Sequence, residues 1–327
     1  MRYVLILSLL CVVLAGCTSE EAVQAMGDWK GHYTTEDGQT GDLFAQIIDR
    51  GNGNYEAIIT VGHDTKVKLM GKTEENKIVF EGKVDVGSER GGAYDVKAAI
   101  SGSKFTGKFE GAENSGTLEL KKDDKTSPSL GAVPPAGAVV LFDGKNLDHW
   151  LQRDGEPAKW KILEDGAMEI TEHSLATKDE FGDHKLHIEF RTPQMAEKLG
   201  QARGNSGVYV FGRYEVQVLD SYGMEPADNL CGGIYSKAAP KVNACAPPGT
   251  WQTYDITFYA PQFDESGAKI KNAEITVEHN GILIHDKLVL DGITPGGVAN
   301  DEVPKGGLML QDHGDPVQYR NIWALPL

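Results

Sequence analysis

The sequence predicts an all-β protein in two parts, a small β-barrel or β-sandwich over residues 27–122 followed by a larger two-sheet sandwich over residues 138–327. Two observations carry this. Short runs of alternating apolar and polar residues recur along the chain, each bounded by turn residues drawn from 39 glycines, and period-two alternation marks half-buried strands. No long segment shows the 3.6-residue period of an amphipathic helix.

The first residues are a separate element. Arg2 precedes an apolar run from Tyr3 to Val13, then Leu14-Ala15-Gly16-Cys17. A charged start, a short apolar core and small residues at the end read as an export signal, and the run is too short to remain as a membrane-spanning helix. The Leu-Ala-Gly-Cys ending resembles the bacterial lipoprotein box. That implies a signal over residues 1–16, a lipid on Cys17 and a tether over residues 17–26. Thr18 stands where an inner-membrane retention aspartate would, so the expectation is a lipid anchor in the cell envelope, at the outer membrane. The alternative is an ordinary secretory signal with an incidental cysteine.

Residues 27–122 contain alternating runs such as Leu43–Ile48, Tyr55–Val61, Lys77–Phe80, Tyr94–Ile100, Lys104–Phe109 and Thr117–Leu120. Gly51-Asn52-Gly53-Asn54 and the stretch from Glu110 to Gly116 supply turn chemistry between them. No cluster of catalytic residue types stands out, so an accessory module is expected. Residues 123–137 are charged and then rich in Pro, Ser, Gly and Ala, which reads as an interdomain linker.

In the second part, Glu164-Asp165-Gly166 and Asn280-Gly281 mark hairpins. Leu186, Ile188 and Phe190 alternate with polar neighbours, and so do Leu308 and Leu310 within the run Gly307 to His313. The most informative stretch is Arg203 to Gly223. Val208 and Val210 share one strand face, and Tyr214, Val216 and Val218 share a face of the next strand, with Phe211-Gly212-Arg213 as a tight connection. The opposite faces carry Asn205, Tyr209, Glu215 and Gln217, a polar surface suited to a polar ligand.

Charge and cysteine count narrow the chemistry. Forty-eight acidic against 32 basic residues give a formal charge of −16, which repels phosphate backbones and argues against a nucleic-acid partner. With Cys11 in the signal and Cys17 on lipid, Cys231 and Cys245 remain, and an oxidising compartment favours a disulfide between them over free thiols. Such a bridge would be worth roughly 3 kcal/mol. Two cysteines alone make a poor zinc site.

Several blocks, in order, resemble one family. They are Leu141-Phe142-Asp143-Gly144 with Trp150, Arg203 to Tyr209, Tyr214 to Ser221, Gly233-Ile234-Tyr235, Pro247 to Asp255, Leu310 to Gly314, and Tyr319 to Trp323. From about Gly137 to Leu327 the chain resembles the 3-keto-disaccharide hydrolase family. The resemblance implies a concanavalin-like jelly roll with a ligand groove on its concave sheet, acting on glycosides oxidised at C3. It leaves open whether a given member binds, hydrolyses or eliminates.

A ketone at C3 acidifies the C2 hydrogen, so a base can remove it and the resulting enolate can expel the C1 substituent, with water adding back. That route needs a base, donors to the enolate oxygen and a proton source for the leaving group, rather than two carboxylates flanking the anomeric carbon. The strand Glu215-Val216-Gln217-Val218-Leu219-Asp220 fits this, because it lacks the Glu-x-Asp-x-x-Glu array of sandwich glycosidases. His313 is the first choice of base on its ordinary pKa, against the alternative of a surface turn. Glu215 is a base, a metal ligand, an orienting partner or one half of a structural ion pair. Arg203 suits a sugar or enolate oxygen, with Asn205, Tyr209, Gln217 and Gln311 binding hydroxyls and Asp220 a loop ligand or turn residue. Tyr235 and Trp251 are candidates to stack on a pyranose, while Trp150, Trp160 and Trp323 are assigned to the core. A divalent ion held by Glu215 and His313 would stabilise an enolate, although no metal motif is present. A carbohydrate-binding lipoprotein without turnover and a structural envelope protein are the other readings.

Overall fold

The computed structural model describes residues 24–327. The export signal, Cys17 and most of the tether lie outside the described residues. The chain divides into two compact units, one ending at Lys122 and the other running from Asp123 to Leu327, with Gln46–Ile48 grouped with the second.

The first unit is a closed barrel of eight strands in simple up-and-down order, from Gly27–Thr35 to Ser115–Lys122. The last strand closes on the first, from Trp29 opposite Lys122 to Thr35 opposite Gly116. Closure leaves no unpaired sheet edge. The strand Thr65–Glu74 shows why the sequence folds this way. Val67 and Leu69 turn inward with Gly71, while Lys66, Lys68 and Lys72 alternate outward into water. One end of the interior is filled by Trp29, Phe80 and Phe105, with ring centroids 6.1 and 5.4 Å apart on either side of Phe105.

The second unit is a sandwich of antiparallel sheets. One sheet has five strands in the spatial order Trp150–Gln152, Leu175–Thr177, Met309–Leu310, Ser206–Val210 and Tyr214–Val218. The other has eight strands, with His184–Arg191 between Gln252–Tyr259 and Gln318–Pro326 at its middle. Val208, Val216, Val218, Leu310, Ile188, Phe190 and Phe258 are buried between the sheets. Tyr214 meets Phe258 with centroids 5.2 Å apart, and the Tyr254 hydroxyl donates to Gln217 O at 2.6 Å. The all-β class, the barrel and the sandwich are those the sequence predicts. The strand expected through His313 stops at Leu310, and His313 is exposed in the loop that follows.

Four sequence expectations need correction. Residues 123–137 do not behave as a loose linker. Ser127 Oγ pairs with Thr253 Oγ1 at 2.6 Å, Ser129 Oγ donates to Asp255 Oδ2 at 2.5 Å, and the Gly131 N–H donates to Glu189 Oε1 at 2.6 Å. Serine hydroxyls and backbone amides anchor the segment where apolar side chains are lacking.

Trp323 is not a core residue. It stacks on His187, centroids 5.1 Å apart, on the face of the eight-stranded sheet that turns away from the core. Trp150 and Trp160 are buried as expected.

Cys231 and Cys245 are not bridged, and both are buried free thiols. The two thiols are hydrogen-bonding neighbours, with the Tyr254 hydroxyl 3.2 Å from Cys231 Sγ and the Ala246 carbonyl 3.3 Å from Cys245 Sγ.

Trp251 is not placed to stack on a sugar beside Glu215. Its ring is covered by Arg191 and Arg320, whose guanidinium carbons are 4.5 and 4.1 Å from the centroid. Both arginines extend from the eight-stranded sheet, whereas Glu215 stands on the other sheet.

Candidate active site

The hairpin Ser206–Val210 and Tyr214–Val218 builds the site. Phe211 and Gly212, at φ 58 and 62, turn the chain in three residues. Register pairs Tyr209 with Glu215 and Gly207 with Gln217, so these four share the face opposite the valine core. Gly207 belongs there for a steric reason. A Cβ on it would stand 2.2 Å from Glu215 Oε1 and 2.9 Å from the Tyr209 ring, so glycine makes room for the carboxylate.

Two segments cover this face. Thr294 Oγ1 accepts the Glu215 N–H at 2.9 Å, and the Pro295 carbonyl lies 2.9 Å from the Tyr209 hydroxyl. Arg153 ties down the next turn by donating from Nη1 to Gly296 O at 3.4 Å and from Nη2 to Gly297 O at 2.5 Å. On the other side, Gln201 accepts from Asn205 Nδ2 through its carbonyl at 2.7 Å and its Oε1 at 3.2 Å. Tyr209, Glu215, Gln217 and Asn205 are all buried in consequence.

Burial pushes the Glu215 carboxyl up to about 7, against the lowering effect of its hydrogen bond with Tyr209. The Tyr209 hydroxyl lies 2.7 Å from Glu215 Oε2, and Gln311 Nε2 donates to it at 3.2 Å. Burial and the neighbouring carboxylate push the Tyr209 phenol well above its ordinary range, so it stays protonated.

Tyr209 has one proton and two acceptors, Glu215 and Pro295 O. When Glu215 is ionised, Tyr209 donates to it. When Glu215 is protonated, it can donate to Tyr209, which then donates to Pro295 O. Gln217 can answer the ionised state. In one orientation its Nε2 donates to Gln201 Oε1 at 3.1 Å and Asn205 Oδ1 at 3.3 Å, but its oxygen then faces the acceptors Glu215 Oε1 and Ser206 O. In the other, Nε2 donates to Glu215 Oε1 at 2.9 Å and Ser206 O at 3.1 Å. In that second orientation an ionised Glu215 is met by two donors, the Tyr209 hydroxyl and the Gln217 amide.

The remaining predicted residues divide clearly. The Tyr235 N–H donates to Glu215 O at 3.3 Å, so half-buried Tyr235 sits at the sheet edge beside the carboxylate. Arg203 Nε donates to Asp220 Oδ2 at 2.6 Å, a buried pair at the end of the hairpin, where the Asp220 N–H also donates to Arg203 O. Gln311 reaches the site. Two residues beyond it His313 is exposed, and two further on Asp315 Oδ2 accepts the Asn205 N–H at 2.8 Å. Among the described residues no group of three or more His, Cys, Asp or Glu side chains is arranged to hold a metal ion, so the Glu215–His313 pair does not complete a ligand set.

Beside this cluster lies a cavity of about 540 Å³ lined by Arg153, Asp154, His173, Ser174 and Asp312. Asp312 directly follows Gln311, and the Arg153 charge lowers the Tyr209 pKa, which places the cavity next to the Tyr209–Glu215 pair. Sequence reasoning missed Arg153, Gln201 and the Thr294–Gly297 cover. The Pro295-Gly296-Gly297 run was the available signal, since a Cβ on Gly296 would come 2.6 Å from the Tyr209 hydroxyl.

Residues 137–325 match the domain family described as 3-keto-alpha-glucoside-1,2-lyase-like. A protein from Parabacteroides distasonis ATCC 8503, provisionally named a glycosyl hydrolase, is 36% identical, with 59% of this chain and 85% of that one aligned at a TM-score of 0.55. A second protein of the same organism and the same provisional name is 18% identical over 58% of this chain and 94% of its own, with a TM-score of 0.45. No curated protein matches the chain.

Proposed function

The chain belongs to the 3-keto-alpha-glucoside-1,2-lyase-like family over residues 137–325, and on that premise we propose that it cleaves glycosides oxidised at C3, with Glu215 as the base that removes the C2 hydrogen. Family and structural relatives agree on a glycoside-acting protein. The finer reading is carried by one observation, a buried carboxyl brought to about 7 and hydrogen-bonded to a phenol that stays protonated. A base near neutrality combines a useful ionised fraction with useful proton affinity.

In this mechanism Glu215 takes the C2 proton and the C–H electrons pass into an enolate whose negative charge rests on the C3 oxygen. The enolate then re-forms the ketone, a double bond develops between C1 and C2, and the C1–O bond breaks. The departing oxygen takes a proton, which Glu215 now carries. Water adding at C1 would convert elimination into net hydrolysis. Gln311, which spends one amide N–H on Tyr209, supplies a donor to a sugar oxygen with the other, and the buried Arg203–Asp220 pair holds the end of the hairpin in place. His313 is not given the base role, because it stands exposed in the loop beyond Gln311.

The test compares Glu215→Gln with His313→Ala on a 3-keto-disaccharide in heavy water. Losing the base should lower kcat by about 10²–10⁴-fold and abolish loss of the C2 hydrogen, while His313→Ala leaves both largely unchanged. Cleavage by the wild type that keeps the original C2 hydrogen would reject elimination. Binding without any turnover would favour a carbohydrate-binding role instead. The proposal extends to a cell-envelope protein held by lipid on Cys17, supported by the Leu14–Cys17 sequence; Cys17→Ser should then move the protein out of the membrane fraction.

A further inference from the structure

The family match begins at residue 137 and leaves the barrel without a role, yet side chains fill one end of the barrel interior and leave a cavity at the other. Exposure changes along its axis. Trp29, Phe80, Phe105 and Leu120 are 0% exposed at one end, whereas Leu43, Val67, Val84, Val96 and Leu118 retain 6–8% although they also point inward. These five border a cavity of about 510 Å³. Eight strands are wide enough either to be filled by side chains or to hold one small ligand. This volume falls in the range of small-molecule pockets, roughly 300–1,000 Å³.

The mouth carries the chemical information. The cavity reaches the barrel end where the turns after Thr35, Val61, Asp85 and Gly111 gather. Phe109 stands there edge-on to Tyr33 and Tyr94, with centroids 6.1 and 5.5 Å away. Tyr33 lies flat enough to occupy the place of a side chain at Gly41, where an added Cβ would come 2.4 Å from its ring. The charged groups around the opening are Asp42, Glu89, Glu113 and Arg90. Arg90 is already engaged with Asp64, at 3.2 Å, and with Thr65. The rim is therefore negative, and a carboxylate or phosphate brought to it would be repelled as well as desolvated.

We propose that the barrel is a second binding site, taking one uncharged, mainly apolar small molecule into the cavity among Val67, Val96 and Leu118 and rejecting anionic amphiphiles such as fatty acids at its acidic rim. The apolar body is driven in by burial against these walls. The aromatic trio at the mouth suits a ring or an unsaturated end.

The experiment uses the whole chain and N-phenyl-1-naphthylamine, a neutral apolar dye that brightens on leaving water. Saturable brightening at one dye per chain is expected. Val96→Trp, which fills the cavity, should raise its Kd at least tenfold while a cooperative thermal melt is retained. If Val96→Trp does not fold, Leu118→Phe decides with the same expected direction. 1-Decanol should displace the dye and decanoate should not, until Glu89→Lys and Glu113→Lys together make the rim positive. Absence of saturable brightening, or unchanged affinity in a folded cavity-filled variant, overturns the site. Equal displacement by decanol and decanoate overturns the assigned ligand class.

Discussion

Tyr209 and Glu215 face each other across two neighbouring strands, with the Tyr209 hydroxyl 2.7 Å from Glu215 Oε2. The pair ties the protonation of a buried acid to the position of one phenolic hydrogen. Neither residue is fully described without the other.

That relationship predicts a pH profile. With Glu215 brought to about 7 by burial, kcat/KM on a 3-keto-glycoside should rise between pH 5.5 and 8 as the base ionises. Tyr209→Phe removes a hydrogen bond that lowers this pKa, so the rising limb should move to higher pH as the rate falls. An unchanged limb in the variant would mean that some other group titrates.

Stability should run the opposite way. Glu215 is raised above its ordinary value of 4.5, so its protonated form suits the folded state. The native state is fully favoured below about pH 4.5 and loses stability as pH rises toward and through about 7. At pH 8 the penalty is roughly 3 kcal/mol by linkage. Glu215→Gln should therefore melt higher than the wild type at pH 8 and show little difference near pH 4. A lower melting temperature at pH 8 would contradict the burial of an acid whose charge is unfavourable.

Gly207→Ala tests the crowding beneath the carboxylate. The added methyl would stand 2.2 Å from Glu215 Oε1, so carboxylate and ring must shift. Overpacking of this kind costs about 1–3 kcal/mol, and a small displacement of the base should reduce kcat by tenfold or more. A variant with wild-type kcat and melting temperature would show that the two strands relax freely.

Trp251→Ala should separate packing from sugar binding. The two guanidinium contacts to its ring are worth about 1–2 kcal/mol together. Thermal stability should drop while KM stays near that of the wild type. Tyr235→Ala, beside Glu215, should raise KM. The reverse pattern would restore the stacking role expected from sequence.

The sheet face carrying Tyr209, Glu215 and Gln217 was legible because alternation is a local property, and the Phe211-Gly212-Arg213 turn kept the register of its two strands. His313 was placed wrongly because the same alternation ran past the end of a strand. Nothing in Gly307 to His313 marks Leu310 as the last paired residue, and the Asp312 side chain accepts the Gly314 N–H at 2.8 Å in a turn instead. Trp251 and Trp323 were misjudged for another reason. Period-two reading separates two faces but cannot say which is covered, and here Ser127–Ala132 and two arginines cover the one turned from the core. The Arg153 and Thr294 contributions are long-range contacts that no local pattern encodes.

The stapling of Ser127, Ser129 and Gly131 onto the outer sheet bears on how the chain can be dissected. A truncation at Gly131, which the Pro- and Ser-rich composition invites, would delete both serines and strip partners from Thr253 and Asp255. It would also open His187, now 0% exposed and 2.6 Å from Asp255 Oδ1, to solvent. The unit to carry into a fusion protein is therefore the stretch from Asp123 onward, and its first dozen residues act as a clasp.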